Sequence, residues 1–416
     1  MDDQLSIQLG DIKNTLEAFS RAVEPGFGPS FQQTLMTTSS GKILITNSGS
    51  DIVNAINAPH LIRQYIIKCI KDHRSATGDG SKEFVILLNS LLCECLKVAD
   101  DTRSLHQMSM DIGHCLRDDL PTIMTELEAQ CIKFDIADPV QLKKGVESLS
   151  QGLLESYLLQ HDSALLPELF GKFITSWMKN DLLRVIEVLI NDSDILLREL
   201  PNRPMSCSYI QSGLLISRGF ANSDVRSLST ETSCTTIKFL MLSRQLVNTG
   251  NDTDVTYKIL NSGQWRDQID LVITHRRLRA DVFLQRLRDH GVSLILTSSQ
   301  FSSLELTQSL RHGITVVHTV PEPELLFLSH QIGGTILDQT DDFTLASIAS
   351  ATVCKRLLIG TQVYTNIHSE RLVGACTMVI AGATEGTSYQ SRCRIVDCMK
   401  ALRQAATDGT CFSHSR

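Results

Sequence analysis

The chain has 416 residues, 42% hydrophobic and 20% charged, which suits a globular protein of about two to four domains and excludes one that is mainly disordered. A formal charge of −7 argues against a nucleic-acid surface, and in the one basic stretch, "THRRLRADVFLQRLRDH", interleaved acids point to a solvated helix face. No run approaches the ~18–20 apolar residues of a membrane span, and the acidic, amphipathic amino end is unlike a signal peptide, so a soluble intracellular chain is expected.

Helical periodicity runs over residues 11–24 and stops at Pro25-Gly26. "KILITN" reads as a strand, with a hairpin partner in "TLMTTSSG". "DIVNAI" starts a helix that Pro59-His60 breaks, and "LIRQYIIKCIKDHRS" forms another that ends just before Thr77-Gly78. A further helix, "FVILLNSLLCECL", follows. Residues 126–200 stay helix-rich, most clearly in "SALLPELFGKFITSWMKNDLLRVIEVLI", until the prolines of "RELPNRPMS" mark a boundary. From Cys207 strands and helices alternate: "VSLILTSS" and "ITVVHTV" each follow a glycine turn, with helices in "SSLELTQSLRHG" and "PEPELLFLSHQIGG". A smaller β-rich part spans 346–385, and the helix "SYQSRCRIVDCMKALRQAA" comes last.

Twelve cysteines with no export signal read as reduced thiols, many of them buried as small hydrophobes. Cys93 and Cys95 point to different faces of a helix, and Cys393 and Cys398 have no matching pair, so a zinc site is not expected.

"RSATGDGSKEF", residues 74–84, carries the strongest local signal. Gly78 and Gly80 bracket Asp79 ahead of a helix start, where backbone amides favour an anion such as phosphate. The plainer alternative is a turn in which Asp79 or Ser81 caps the helix. A P-loop is excluded by the order Ser81-Lys82.

Four segments in order resemble the nucleotide-site elements of the TCP-1/cytosolic (group II) chaperonins: "GP" at 28–29, "ILITNSGSDI" at 43–52, "TGDGSKEF" at 77–84 and "GATEGTSYQSRCRIVDCMKALRQAATDG" at 382–409. Within that family the chain is most similar to the divergent branch linked to Bardet–Biedl syndrome. The resemblance implies an α+β multidomain subunit: helical equatorial domain at 1–125, small intermediate domain at 126–205, α/β apical domain at 206–345, and an intermediate return at 346–404. Residues 405–416 would begin a second equatorial half, which stops short of the family's glycine-rich GGG segment.

The resemblance further implies ATP and Mg2+ as cofactors, with Gly28, Pro29, Asn47, Gly49, Gly78, Asp79, Gly80, Ser81 and Lys82 around the nucleotide, Asp79 on the metal and Asp397 activating water. Lys82 either meets a phosphate as a point charge or points to solvent. Asp397, without the resemblance, reads as a helix-surface carboxylate with Arg394 and Lys400 as partners. Two departures weaken hydrolysis: Ser48 stands where the family has a second carboxylate, and Phe31 where it has a glycine. Asp51 is expected to cap the next helix.

In the apical part, Leu325, Leu326, Phe327 and Leu328 are candidate client contacts, although four consecutive apolar residues cannot all face one side of a helix. The implied role is assistance to folding or assembly of a ciliary trafficking complex, the BBSome, beside cytosolic chaperonin subunits and with BBSome subunits as clients. Such a chain belongs in the cytoplasm or at the centrosome and basal body, with chaperonin-type ATPase activity weak or lost. An ATP-hydrolysing folding subunit and a shortened interaction protein are the alternatives.

Overall fold

The computed structural model describes residues 9–28, 32, 34–37, 41, 43–56, 61–98, 105–129, 131–133, 139–155, 165–177, 182–221, 227–228, 236–243, 246, 265–338, 340–372 and 374–412. The chain divides into two compact units, one of residues 1–193, 199–209 and 379–416, the other of residues 194–198 and 210–378.

The first unit opens with α1 (Leu9–Val23), whose Leu16, Phe19 and Val23 fall at helical spacing on one buried face. An antiparallel hairpin follows, β1 (Thr34–Thr37) with β2 (Ile43–Thr46). Helices α2 (Gly49–Ala55), α3 (Leu61–Thr77) and α4 (Ser81–Val98) then close a common core, in which Ile52, Val53, Ile62, Ile66, Ile70 and Val85 pack with the α1 residues. Next come α5 (Leu105–Asp118), α6 (Leu120–Glu128), β3 (Cys131–Lys133) and α7 (Pro139–Glu155). The amphipathic segment read as one stretch is described as two helices, α8 (Leu165–Trp177) and α9 (Leu182–Asn191), with Phe170, Phe173, Ile186 and Leu189 in the core.

Beyond α10 (Ser193–Leu196), β4 (Leu197–Pro201) and β5 (Tyr209–Ser212), the second unit contains β6 (Leu214–Ile216), β7 (Ser227–Leu228), β8 (Ile237–Leu242), α11 (Trp265–Asp289) and β9 (Val292–Thr297). It continues through α12 (Ser303–Arg311), β10 (Thr315–Val317), α13 (Glu322–Ile332), β11 (Ile336–Leu337), β12 (Ile348–Ala351), β13 (Val353–Ile359) and β14 (Gln362–His368). The α/β alternation expected from the glycine-led apolar runs is present: β10, β9, β8 and β11 lie side by side, all parallel. Leu240, Leu242, Val292 and Ile295 from this sheet meet Phe283, Leu284 and Leu287 of α11 in the core. A separate antiparallel sheet has the order β6, β14, β13, β7.

The expected return to the intermediate section at residue 346 is corrected by the strand pairing. Two-residue β11 covers only Met241 and Leu242 of one β8 edge, and β12 takes the rest, Ile348 opposite Leu240 through Ala351 opposite Ile237. Residues 346–378 therefore belong to the second unit, and the first resumes at residue 379.

After β15 (Cys376–Gly382), α14 (Glu385–Asp408) runs past the expected boundary at 404 to a left-handed Gly409, and β16 (Thr410–Phe412) pairs with β3. Each partner of that pair is three residues long and they lie far apart in sequence, so periodicity gave no sign of it. No helix among the described residues is long and apolar enough to cross a membrane.

Candidate functional site

The turn 78–80 joins α3 to α4. Gly78 and Gly80 both have left-handed backbones, φ +80° and +84°, which is why glycine stands at each. The Thr77 hydroxyl lies 2.9 Å from the His73 carbonyl oxygen and 2.7 Å from that of Asp79, donating between them and tightening the turn. The first bond of α4 runs from the Phe84 amide to the Gly80 carbonyl at 2.9 Å. Gly80 is thus the N-cap, in place of the expected Asp79 or Ser81, because the second left-handed glycine delivers the chain into the helix at Ser81.

Gly78 brings the turn against α14. A Cβ at this position would lie 2.3 Å from the Asp397 carbonyl oxygen and 2.9 Å from the Ala401 amide nitrogen. The close approach that the glycine permits is made to the protein's own helix backbone. Gly78→Ala combines left-handed strain with a clash against backbone that cannot swing away, and a loss of about 1–3 kcal/mol is expected in urea unfolding. Gly80→Ala, whose Cβ would have its nearest neighbours in the His73 side chain and not in backbone, is expected to lose less.

A second group of the expected residues converges around Lys82. Its side chain is buried, 8% exposed, and its ammonium donates to the Gly26 carbonyl at 2.6 Å and to Asn47 Oδ1 at 3.4 Å. This corrects the solvent-facing alternative. Burial lowers the Lys82 amine below the ordinary lysine range, against the pull of Glu83. The Lys82 stem and the Ser81 hydroxyl fill the hollow at Gly49, where a Cβ would lie 2.7 Å from Lys82 Cγ and 3.0 Å from Ser81 Oγ. Ser48 is the N-cap of α2, its hydroxyl accepting from the Asp51 amide at 3.4 Å. Asp51, expected to be the cap, sits inside the first turn instead, since the helix starts at Gly49.

Asp397 is buried on α14, not on the helix surface, and one cation holds it to two other helices. Arg74 at the end of α3 donates to Asp397 Oδ2 at 2.7 Å and, through its other nitrogen, to Asp51 Oδ1 of α2 at 3.1 Å. Arg394, one of the expected i±3 partners, lies 3.5 Å from the same Asp397 oxygen. Burial pushes the Asp397 carboxyl above the ordinary aspartate range, with Arg74 and Arg394 opposing it. Arg74 was missed in the sequence, where no local spacing connects it to a residue 323 positions away. Asp79 is half-buried, and among the described residues its carboxylate has no hydrogen-bond or ion-pair partner. Gly28 is left-handed with open space where a Cβ would be, and Pro29 lies outside the described residues.

The model of the TCP-1/cpn60 chaperonin family matches residues 19–412. The chain belongs to that family. As a chaperonin it is divergent: thermosome subunit alpha of Archaeoglobus fulgidus is 20% identical over 390 residues, covering 94% of this chain and 68% of that one. BBSome complex assembly protein BBS10 of Pongo abelii is 21% identical over 444 residues, covering 97% of this chain and 58% of that protein. The mouse BBS10 protein is 23% identical over 419 residues, with 92% and 56% covered. The chaperonin chain therefore spans little more than half the length of the BBS10 proteins that it matches.

Chaperonins as a family bind ATP with Mg2+, which requires carboxylate oxygens available to a hard cation and open, donor-lined turns for phosphate. In this chaperonin chain Asp397 and Asp51 share Arg74, and protein atoms fill the hollows at Gly49 and Gly78. An ammonium occupies the space between Gly26 and Asn47. Among the described residues, no cluster of three His, Cys, Asp or Glu side chains is placed to hold a metal ion. Apart from Asp79, whose single carboxylate is left over, the described residues do not fit a metal-bound nucleotide.

The second unit sorts the four candidate client contacts. Leu325, Phe327 and Leu328 of α13 are in the core, and Leu326 alone is open, 51% exposed. Buried side chains have no surface to offer, which corrects the expectation for those three. Sequence reading passed over Leu278 and Val282 of α11, 58% and 59% exposed and four residues apart on one helix face. Leu304 and Leu310 of α12 are also exposed. The signal was present in "LRADV", but the surrounding arginines masked it.

Proposed function

We propose that this chain is a chaperonin-like holding and assembly factor that works without an ATP-driven cycle. The observation that carries the reading is Asp397, the residue that resembles the family's water-activating aspartate, buried with Arg74 and Arg394 on its Oδ2 oxygen. Both guanidiniums act on the Oδ2 oxygen, and each opposes the gain in basicity that burial gives the carboxylate, which a general base would need. Ser48 in place of a second acid points the same way.

The BBS10 relatives carry the name of a BBSome assembly protein, and we extend that role here: BBSome subunits as clients, cytosolic chaperonin subunits as co-workers, and the cytoplasm near the ciliary basal body as the setting. Client contact falls to exposed apolar side chains such as Leu278, Val282 and Leu326. Exposed apolar residues on α5 and α6, among them Ile112, Leu116, Ile123 and Met124, support association with a further protein surface.

The test is suppression of aggregation of a chemically unfolded protein, with and without Mg-ATP. Equal suppression in both conditions, reduced in a Leu278→Ser/Val282→Ser double variant, is expected. Suppression that appears only with Mg-ATP would contradict the reading.

A further inference from the structure

We propose that the Lys82 ammonium is the resident cation of this site, tying the Gly26 loop, the Asn47 turn and the start of α4 together and so excluding a divalent cation with its phosphate ligand. The inference rests on the nucleotide-independent reading above and adds to it the group responsible.

Three observations carry it. First, the ammonium is aimed at acceptors: the Gly26 carbonyl at 2.6 Å and the Asn47 amide oxygen at 3.4 Å. A lysine that bound phosphate would point into a donor-lined space, whereas a phosphate oxygen brought to this amine would meet a backbone carbonyl oxygen instead. Second, the Lys82 stem is part of the packing. It occupies the hollow at Gly49, so the side chain cannot withdraw without opening a gap and leaving the buried acceptors without their donor. Third, two of the neighbouring acids are already paired from within. Arg74 bridges Asp51 and Asp397, which leaves Asp79 as the one acid of the expected site without a partner among the described residues, and a dication approaching it would be repelled by the nearby ammonium.

The arrangement joins segments far apart in sequence, since Lys82 reaches Gly26 across 56 positions and Asn47 across 35. A bound ligand would normally contribute that cross-linking; here a side chain does so permanently.

The experiment compares the full chain with Lys82→Thr, which trades the ammonium for a small hydroxyl, and Lys82→Met, which keeps the length and removes the charge. Thermal midpoints are read with Mg2+ alone and with Mg-ATP, because a ligand that binds only the folded state raises the midpoint. The wild type is expected to show no difference, and Lys82→Thr a saturable rise of about 2 °C or more. A Mg-ATP-dependent rise in the wild type overturns the proposal, and its loss in Lys82→Met would identify Lys82 as a phosphate ligand. A folded Lys82→Thr with an unmoved midpoint also overturns it, leaving the nucleotide-independent reading in place.

A second measurement covers failure of the variants to fold. Acetylation by an N-hydroxysuccinimide ester, followed by mass spectrometry on the wild type, is expected to modify Lys82 at least about tenfold more slowly than exposed Lys97, with or without Mg-ATP. Equal rates, or a rate for Lys82 that changes with Mg-ATP, would overturn the proposal.

Discussion

Replacing Arg74 with methionine is expected to destabilise the first unit by about 3–5 kcal/mol at neutral pH, the usual cost of leaving one member of a buried ion pair without its partner. Arg74 is the cation that Asp51 and Asp397 share, and Asp397 is the more deeply buried of the two acids. The sign of the pH dependence follows from Asp397. Burial already raises its folded-state pKa above the ordinary 3.8, so its charged form is disfavoured on folding, and its contribution to stability falls as pH rises from about that value through the raised one. Removing Arg74 takes away the strongest opposing attraction and raises that folded pKa further. The deficit of Arg74→Met should therefore be small below about pH 3, where the carboxyl is mostly protonated in both states, and reach its full size by about pH 7. Urea unfolding of both proteins across this range measures it. A deficit that is the same at about pH 3 and pH 7 would mean that Arg74 acts through packing alone.

Glu324→Ala is expected to have an effect of similar size on the second unit, about 3–5 kcal/mol. Glu324 lies in the first turn of α13, is 3% exposed, and accepts from Arg198 at 2.8 Å with one oxygen and from the Ser217 amide at 2.9 Å with the other. Alanine leaves a largely buried guanidinium and a backbone donor unsatisfied together. Glu324→Gln retains an acceptor oxygen for Ser217 and should lose less. The order wild type, Gln, Ala in thermal midpoint is the expected result; equal midpoints for wild type and Ala would show that the pair adds no stability.

Much of the fold was legible because its signals are local. Glycine at 78 and 80 anticipated left-handed backbone, and the α/β alternation from 292 onward anticipated the parallel sheet. Helical period alone required that "LLFL" at 325–328 be divided between core and surface, although it could not show that only Leu326 would face out. What stayed hidden depends on distant partners. Lys82 was open between phosphate and solvent because its acceptors, Gly26 and Asn47, are reached only through the folding of α1, the hairpin and α4 into one core. Asp397 was legible as the residue that resembles the family's hydrolytic acid, yet Arg74 decides what it can do, and no spacing near 397 names an arginine at 74. The boundary at 379 escaped for the same reason, since it is set by how much of a β8 edge β11 leaves uncovered.

The most direct measurement is phosphate release from Mg-ATP by the purified full chain, with Asp397→Asn run beside it. With Asp397 held by Arg74 and Arg394, both proteins are expected to stay at the buffer background. Steady release by the wild type that Asp397→Asn abolishes would contradict the assignment of this site as one closed by the chain's own cations.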